Sequence, residues 1–242
     1  MKKVLLVFLC AFIVFTVWAC KKDNTGLESA TSSDTSQTEG DMGVLQIQDN
    51  RNTVLILGNS FINTSNVGDI LQAMCGSDLF VEAHSRGYAS VMTYAQDDYM
   101  VQNIRSGHYS VVFICGFYNY SDVLELEKIV DACKYSNTKI AIFPAHNEDI
   151  SLIKDATTMY PNAVLIDWKK EISMLISKGI DYYDFCFDDQ HQHSTPLAGY
   201  VGAHMIYRAV FNEIPQTTSF SQVSKQQIDL LGGYVKNGTI TE

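Results

Sequence analysis

The chain has 242 residues, of which 46% are hydrophobic and 18% are charged, and its formal net charge at pH 7 is −10. An acidic balance of this size argues against nucleic acid or anionic lipid as the main partner, because both are polyanions. After two N-terminal segments, about 190 residues remain, which is enough for one well-packed domain.

The first twenty residues begin with two lysines, continue in an unbroken apolar run and end at Cys20. This order predicts a secretory signal peptide over residues 1–19. The ending resembles the lipobox of bacterial lipoproteins. That resemblance implies a lipid on Cys20 and a protein anchored to the bacterial cell membrane, facing outside the cytoplasm. An uncleaved transmembrane anchor is the alternative, because about 20 apolar residues can span a bilayer.

Residues 20–52 are rich in small and polar residues and poor in large apolar ones. Such a segment cannot bury enough surface to offset the entropy lost on ordering. We therefore predict a flexible linker that follows the lipidated Cys20, and a folded domain over residues 53–242.

Five apolar runs of strand length follow one another in this domain. Their hydrophobicity is nearly continuous, which is typical of strands that are covered on both faces. The runs are residues 54–58, 79–83, 111–116, 139–145 and 163–168.

Helical patterns alternate with these strands. Ser121 and Asp122 are predicted caps of the third helix, and Thr195 and Pro196 are the predicted N-cap and first residue of the last. Strict alternation predicts a three-layer α/β/α sandwich around a five-stranded parallel sheet. The predicted helices are residues 66–74, 92–104, 123–133, 150–159, 169–176 and 196–211.

Ligands of such sheets bind beyond the carboxyl ends of the strands, so the residues that follow each strand are the candidates for a site. A serine, glycines, an asparagine and an acid–histidine cluster stand there. Together they supply what acyl transfer needs, namely a nucleophile, an oriented base and oxyanion donors. The segments are Gly58-Asn59-Ser60-Phe61, residues 84–88, residues 116–119 and residues 188–194.

In block order these segments resemble the SGNH, or GDSL-like, hydrolase family. The family's Gly-Asp-Ser block reads Gly58-Asn59-Ser60 here, and the resemblance implies that Ser60 is the nucleophile. It also implies that the backbone N–H groups of Ser60 and Gly87 point into the oxyanion hole. The amide of Asn119 would join them, although Asn119 stands one position later than in the family's Gly-x-Asn block.

The last family block is Asp-x-x-His before a terminal helix, and two pairs of residues compete for it. His191 with Asp188 fits by spacing. His193 with Asp189 fits by position, because His193 stands two residues before the predicted cap Thr195. We favour His193 and Asp189 as base and orienting carboxylate and keep His191 and Asp188 as alternates.

Plainer interpretations exist for each residue. Ser60 and Gly87 are common turn residues, and Asn119 could cap a helix. The histidines and aspartates of residues 188–193 could ligate zinc, but a third or fourth ligand is not obvious, so no metal is predicted. No Gly-rich phosphate loop follows the first strand, so no cofactor is predicted either.

The sequence therefore predicts an extracytoplasmic serine esterase that hydrolyses short-chain esters, such as O-acetyl groups on carbohydrate. Its partners would be a small-molecule or polysaccharide ester and the membrane that holds the lipid of Cys20. The alternative is a catalytically inactive lipoprotein of the same fold that binds a glycan or another small ligand.

Overall fold

A computed structural model describes Leu45 and residues 51–216 and 220–231. All of them lie within the compact unit Glu39–Glu242. The predicted signal peptide and Cys20 lie outside the described residues, as does most of the predicted linker. Leu45, a residue of that linker, is buried, and its N–H donates to the carbonyl of Ala209 at 2.8 Å. No helix in the described part of the chain is long and apolar enough to cross a bilayer.

The five predicted strands form one sheet in which all neighbours are parallel. Its order is β2-β1-β3-β4-β5. The prediction of a five-stranded parallel sheet is confirmed. The strands are β1 (Thr53–Gly58), β2 (Phe80–Ser85), β3 (Val111–Ile114), β4 (Lys139–Ile142) and β5 (Val164–Leu165).

Ten helices are described, and α6 and α9 match their predicted bounds at both ends. Thr195 caps α9, and Pro196 is its first residue, as predicted. The helices are α1 (Ser60–Ser65), α2 (Val67–Cys75), α3 (Val91–Ala95), α4 (Asp98–Arg105), α5 (Tyr120–Ser136), α6 (Ile150–Met159), α7 (Trp168–Ser177), α8 (Tyr182–Phe185), α9 (Pro196–Phe211) and α10 (Lys225–Leu230).

Two helix predictions were wrong for local reasons. The helix predicted over residues 92–104 is two helices, because Asp97 turns the chain and caps α4 by accepting a hydrogen bond from the N–H of Met100. The caps predicted for α5 lie one turn too late. Asn119 is its N-cap, and Asp122 completes a capping box from the third helical position.

The sheet separates two apolar cores. Along β1, Val54 and Ile56 belong to one core and Leu55 and Leu57 to the other, and all four are buried. Residues of α1, α2, α7 and α9 fill the first core, and residues of α3, α4, α5 and α6 fill the second. Burial on both faces explains why the strands are apolar at every position, and it confirms the three-layer architecture.

The topology creates a crevice at the ends of β1 and β3. From β1 the chain moves to β2 on one side, whereas β3 lies on the other side, so the loops after β1 and β3 diverge. Close packing brings the first helix onto β1. A Cβ added to Gly58 would lie 2.2 Å from Cγ1 of Ile62, so only glycine fits at the end of this strand.

Candidate active site

The turn after β1 holds Ser60 at the start of a helix. Asn59 is extended and fully buried, and its side-chain oxygen accepts the N–H of Phe61 at 3.0 Å. Ser60 is therefore the first residue of α1, where a backbone N–H has no partner inside the helix. The fold thus places a hydroxyl and a free amide together at the crevice.

Three side chains form a hydrogen-bonded relay at this point. The Oγ of Ser60 lies 3.0 Å from Nε2 of His193, and Nδ1 of His193 lies 2.8 Å from Oδ2 of Asp189. A carboxylate can only accept, so Nδ1 of His193 carries the proton and Nε2 is free to accept the serine proton. The arrangement is that of a nucleophile, a base and an orienting acid.

Two backbone N–H groups hold the Asp189 carboxylate in place together with the imidazole of His193. Its Oδ1 accepts the backbone N–H groups of His191 at 2.9 Å and His193 at 3.1 Å. The hydrogen bond from the His193 side chain, helped by these two amides, lowers the pKa of Asp189 to about 2. Asp189 therefore stays ionised at any pH at which the protein would be assayed.

The loop before α9 aims His193 at Ser60. The backbone carbonyl of His193 accepts the N–H of Phe187 at 2.8 Å, and the next residue, Ser194, forms an antiparallel bridge with Cys186. On the other side of the imidazole, the ring of Phe61 lies 5.1 Å away. The histidine is thus held between a bridge, a helix cap and an aromatic ring.

The alternate pair is placed elsewhere. Nε2 of His191 lies 3.4 Å from the hydroxyl of Tyr88, and the side chain is exposed. Asp188 is also exposed. The structure brings Ser60, His193 and Asp189 together and leaves His191 and Asp188 outside the relay.

Two of the predicted oxyanion donors have backbone N–H groups without a protein acceptor within residues 51–216 and 220–231. They belong to Ser60 and Gly87. Gly87 follows β2 in an exposed turn, and Ser85 pairs with Gly58 across the sheet, so this turn borders the one that carries Ser60. A Cβ on Gly87 would meet nothing within 4 Å, so the space beside its amide is open.

The side chain of Asn119, the third predicted oxyanion donor, caps a helix instead of joining Ser60 and Gly87. Its oxygen accepts the N–H of Ser121 at 2.8 Å as the N-cap of α5, and the residue is exposed. The position two residues after Gly116, where the family has its asparagine, holds Tyr118 instead. Its hydroxyl lies 2.6 Å from Nδ2 of Asn59.

Two buried carboxyl groups support the loop after β3. Sequence reasoning missed Glu148 and named Asp122 only as a helix cap. Asp122 accepts the N–H groups of Tyr118 and Asn119 with one oxygen and that of Met92 with the other. Glu148 accepts three further backbone N–H groups, two of them from the same loop. An acidic residue beside a helix start is typical of an exposed cap, so nothing in the pattern indicates that either residue is buried.

His146 also lies beside the relay. Its ring packs 5.2 Å from Phe61, its Nδ1 lies 3.3 Å from Oγ of Ser194, and its Nε2 lies 3.4 Å from Sγ of Cys186. Burial, assisted by the charge of Lys169, lowers the pKa of His146 to about 4, so it is neutral at pH 7. No group of three or more His, Cys, Asp and Glu side chains suited to a metal ion occurs among the residues that the structure describes.

Comparison with family models and with curated proteins gives no match. Among solved structures, the chain is similar to the psychrotrophic esterase EstA from Pseudoalteromonas sp., with a TM-score of 0.50 and 15% identity over 66% of this chain and 97% of that one. It is also similar to a lipase/acylhydrolase from Enterococcus faecalis, with a TM-score of 0.48 and 10% identity over 69% of this chain and 100% of that one. TesA gives a TM-score of 0.47 and 12% identity over 65% of this chain and 97% of that one. At 15% identity, the likeness to EstA shows a shared fold alone.

The role of Asn119 as the N-cap of α5 predicts how its substitution changes the free energy of unfolding. Asn119→Ala is expected to lower the free energy of unfolding by about 1 kcal/mol, because α5 loses the side-chain acceptor of its first turn. Asn119→Ser, which keeps an oxygen for the cap and has no amide, should recover most of that loss in urea unfolding. If both variants instead lost about 100-fold in kcat for an ester, the Asn119 amide would belong to the oxyanion hole.

Proposed function

We propose that this protein is a serine hydrolase that cleaves carboxylic esters through an acyl-enzyme on Ser60. The observation that supports it most is the relay in which Ser60 Oγ, His193 and Asp189 are linked by contacts of 3.0 and 2.8 Å. The fold shared with EstA is consistent with it. Ester hydrolysis is the class of reaction for which this set of groups is sufficient.

Each residue has a defined task in the proposed reaction. His193 accepts the proton of Ser60 as Oγ attacks the ester carbonyl, and the N–H groups of Ser60 and Gly87 stabilise the negative charge that forms on the carbonyl oxygen. His193 then passes its proton to the leaving alcohol. A water molecule, deprotonated by His193, hydrolyses the acyl-enzyme and restores Ser60. Asp189 holds the imidazole in the required tautomer and stabilises its charged form.

We propose short acyl groups on carbohydrate, such as O-acetyl groups, as the substrate class. The site is open, since the Asp189 side chain is 40% exposed within the relay itself, and a bulky alcohol could reach it. Two exposed aromatic residues are bonded to the loop that carries His193: the Tyr88 hydroxyl lies 3.4 Å from Nε2 of His191, and the backbone N–H of Phe187 donates to the carbonyl of His193. Such rings stack on sugars. A lipid on Cys20 would hold the enzyme on the outer side of a bacterial membrane, where it meets such polymers.

Labelling with a fluorophosphonate probe tests the activated serine. The purified protein should be modified at Ser60, as located by peptide mapping, and Ser60→Ala should not be labelled. Ser121→Ala is the matched control, because it removes an exposed hydroxyl from α5 and should label like the wild type. A folded wild-type protein that neither reacts with the probe nor hydrolyses p-nitrophenyl acetate would favour the inactive, ligand-binding alternative.

A further inference from the structure

The hydroxyl group of Tyr118 contacts the side chain of the residue that precedes the nucleophile. The loop that carries it follows β3, the neighbour of β1 in the sheet, and Leu57 is paired with Ile114 where both strands end. The N–H of Tyr118 donates to Asp122 at 3.0 Å, so the backbone at this position is fixed. The hydroxyl oxygen lies 2.6 Å from Nδ2 of Asn59, the residue that precedes Ser60.

The direction of this hydrogen bond follows from the contacts of Asn59. Its Oδ1 accepts the backbone N–H of Phe61, which can only donate, so the amide cannot be turned round. The group that faces Tyr118 is therefore the NH₂ of Asn59, which can only donate as well. The Tyr118 oxygen must accept, and its own proton remains available for another acceptor.

No protein group in the described part of the chain accepts that proton. The hydroxyl also keeps it, because burial and the neighbouring Cys115 and Glu148 raise the pKa of Tyr118 well above its ordinary value. Asn59 is fully buried, whereas Tyr118 is 44% exposed. The Tyr118 hydroxyl is therefore held by its neighbour and keeps a proton that no acceptor among residues 51–216 and 220–231 takes up.

We propose that Tyr118 is a catalytic residue whose hydroxyl donates a hydrogen bond to the carbonyl oxygen of the ester and to the oxyanion formed from it. The inference rests on the proposed function. It adds a third donor to the amides of Ser60 and Gly87, and it gives Asn59 a role as the positioning residue that orients this hydroxyl. Asn59 performs that role only as an amide, because a carboxylate would accept the proton.

Tyr118→Phe tests the donor. It is expected to lower kcat for p-nitrophenyl acetate on the order of 10²-fold and to change KM by less than about threefold, because the lost interaction strengthens in the transition state. Tyr120→Phe, which removes an exposed hydroxyl two residues away, is the matched control and should keep wild-type kcat. An unchanged kcat in Tyr118→Phe, or a rise in KM alone, would overturn the proposal.

Asn59→Asp separates this role from a structural one. The variant keeps a hydrogen bond between the two side chains but reverses it, so the Tyr118 proton is directed at the new carboxylate. We expect a fall in kcat similar to that of Tyr118→Phe and little further loss when the two changes are combined. If the hydrogen bond only stabilised the turn, Asn59→Asp would keep near wild-type kcat, and that result would refute the inference. The inference would also be refuted if the fold-losses in kcat of Asn59→Asp and Tyr118→Phe multiplied in the double variant.

Probe labelling of the wild type is measured first. A wild type that labels at Ser60 and hydrolyses the ester, with Tyr118→Phe equally active, contradicts this inference and leaves the proposed function standing. A wild type that does neither overturns both.

Discussion

His193→Ala is expected to lower kcat for p-nitrophenyl acetate by on the order of 10⁴-fold, whereas His191→Ala should stay within about threefold of the wild type. Nε2 of His193 lies 3.0 Å from Oγ of Ser60, and in the proposed reaction His193 is the base that takes the serine proton. Residues that act as a unit lose nearly all of their joint effect when one is removed. The His191 side chain is hydrogen-bonded to Tyr88 and meets the His193 ring edge-on at 5.5 Å between centroids, so its loss leaves the two hydrogen bonds of the relay intact.

The two variants form a matched pair, because they stand two residues apart on one loop. Both should unfold at similar temperatures, so a difference in kcat reports on chemistry and not on folding. The rate of fluorophosphonate labelling at Ser60 should follow kcat, since both depend on removal of the serine proton. Equal losses in the two variants would mean that the loop changes its conformation when substrate binds, and a loss confined to His191→Ala would exchange the roles of the two histidines.

The sequence was sufficient to predict the architecture because burial on both faces leaves a direct mark on strands. Val54, Leu55, Ile56 and Leu57 could only be a strand covered from both sides. The last helix was predicted to the residue because Thr195 and Pro196 mark its start unambiguously. The short helices α1, α8 and α10 were missed, because four or six residues give too little periodicity to detect.

The site was predictable only where position along the chain fixes position in space. Ser60 follows β1 directly, and His193 stands at a set distance from the cap of α9, so these two could be selected from the sequence. Asn119 and Tyr118 are adjacent in a loop, and which of their side chains reaches Asn59 depends on how α5 is capped. Glu148 could not be found at all, because its function is to bind the backbone of another loop.

Glu148→Gln is expected to destabilise the fold by about 1–3 kcal/mol and to lower kcat as well. The carboxyl group accepts the N–H groups of Gly116 at 3.0 Å, Phe117 at 2.9 Å and Ala145 at 2.9 Å. A glutamine has one oxygen for these three donors, so at least one buried N–H loses its partner, at a cost of about 1–3 kcal/mol. The affected loop continues directly into Tyr118, so the site should be disturbed with it.

Glu171→Gln is the matched control for this prediction. Glu171 is also a buried carboxyl group, but it lies on α7, and its Oε1 has no hydrogen-bond partner. Glu171→Gln leaves no backbone N–H group of the described residues without an acceptor, and the loss of such an acceptor is the reason for the lower stability expected in Glu148→Gln. We therefore expect a change below about 1 kcal/mol in urea unfolding and an unchanged kcat.

The loss of unfolding free energy in Glu148→Gln should also depend on pH. Burial raises the pKa of Glu148 from 4.5 to about 7, against the opposing effect of its three N–H donors. Between pH 4.5 and about pH 7, Glu148 holds a proton in the folded protein that the unfolded chain has released. The stability that this proton contributes is therefore complete below about pH 4.5 and is lost as the pH rises through 7. Glutamine does not titrate, so the difference in unfolding free energy between wild type and variant should be largest near pH 5 and smaller at pH 8. A difference that grows with pH would mean that the N–H donors outweigh burial and that Glu148 binds the loop as a stable carboxylate.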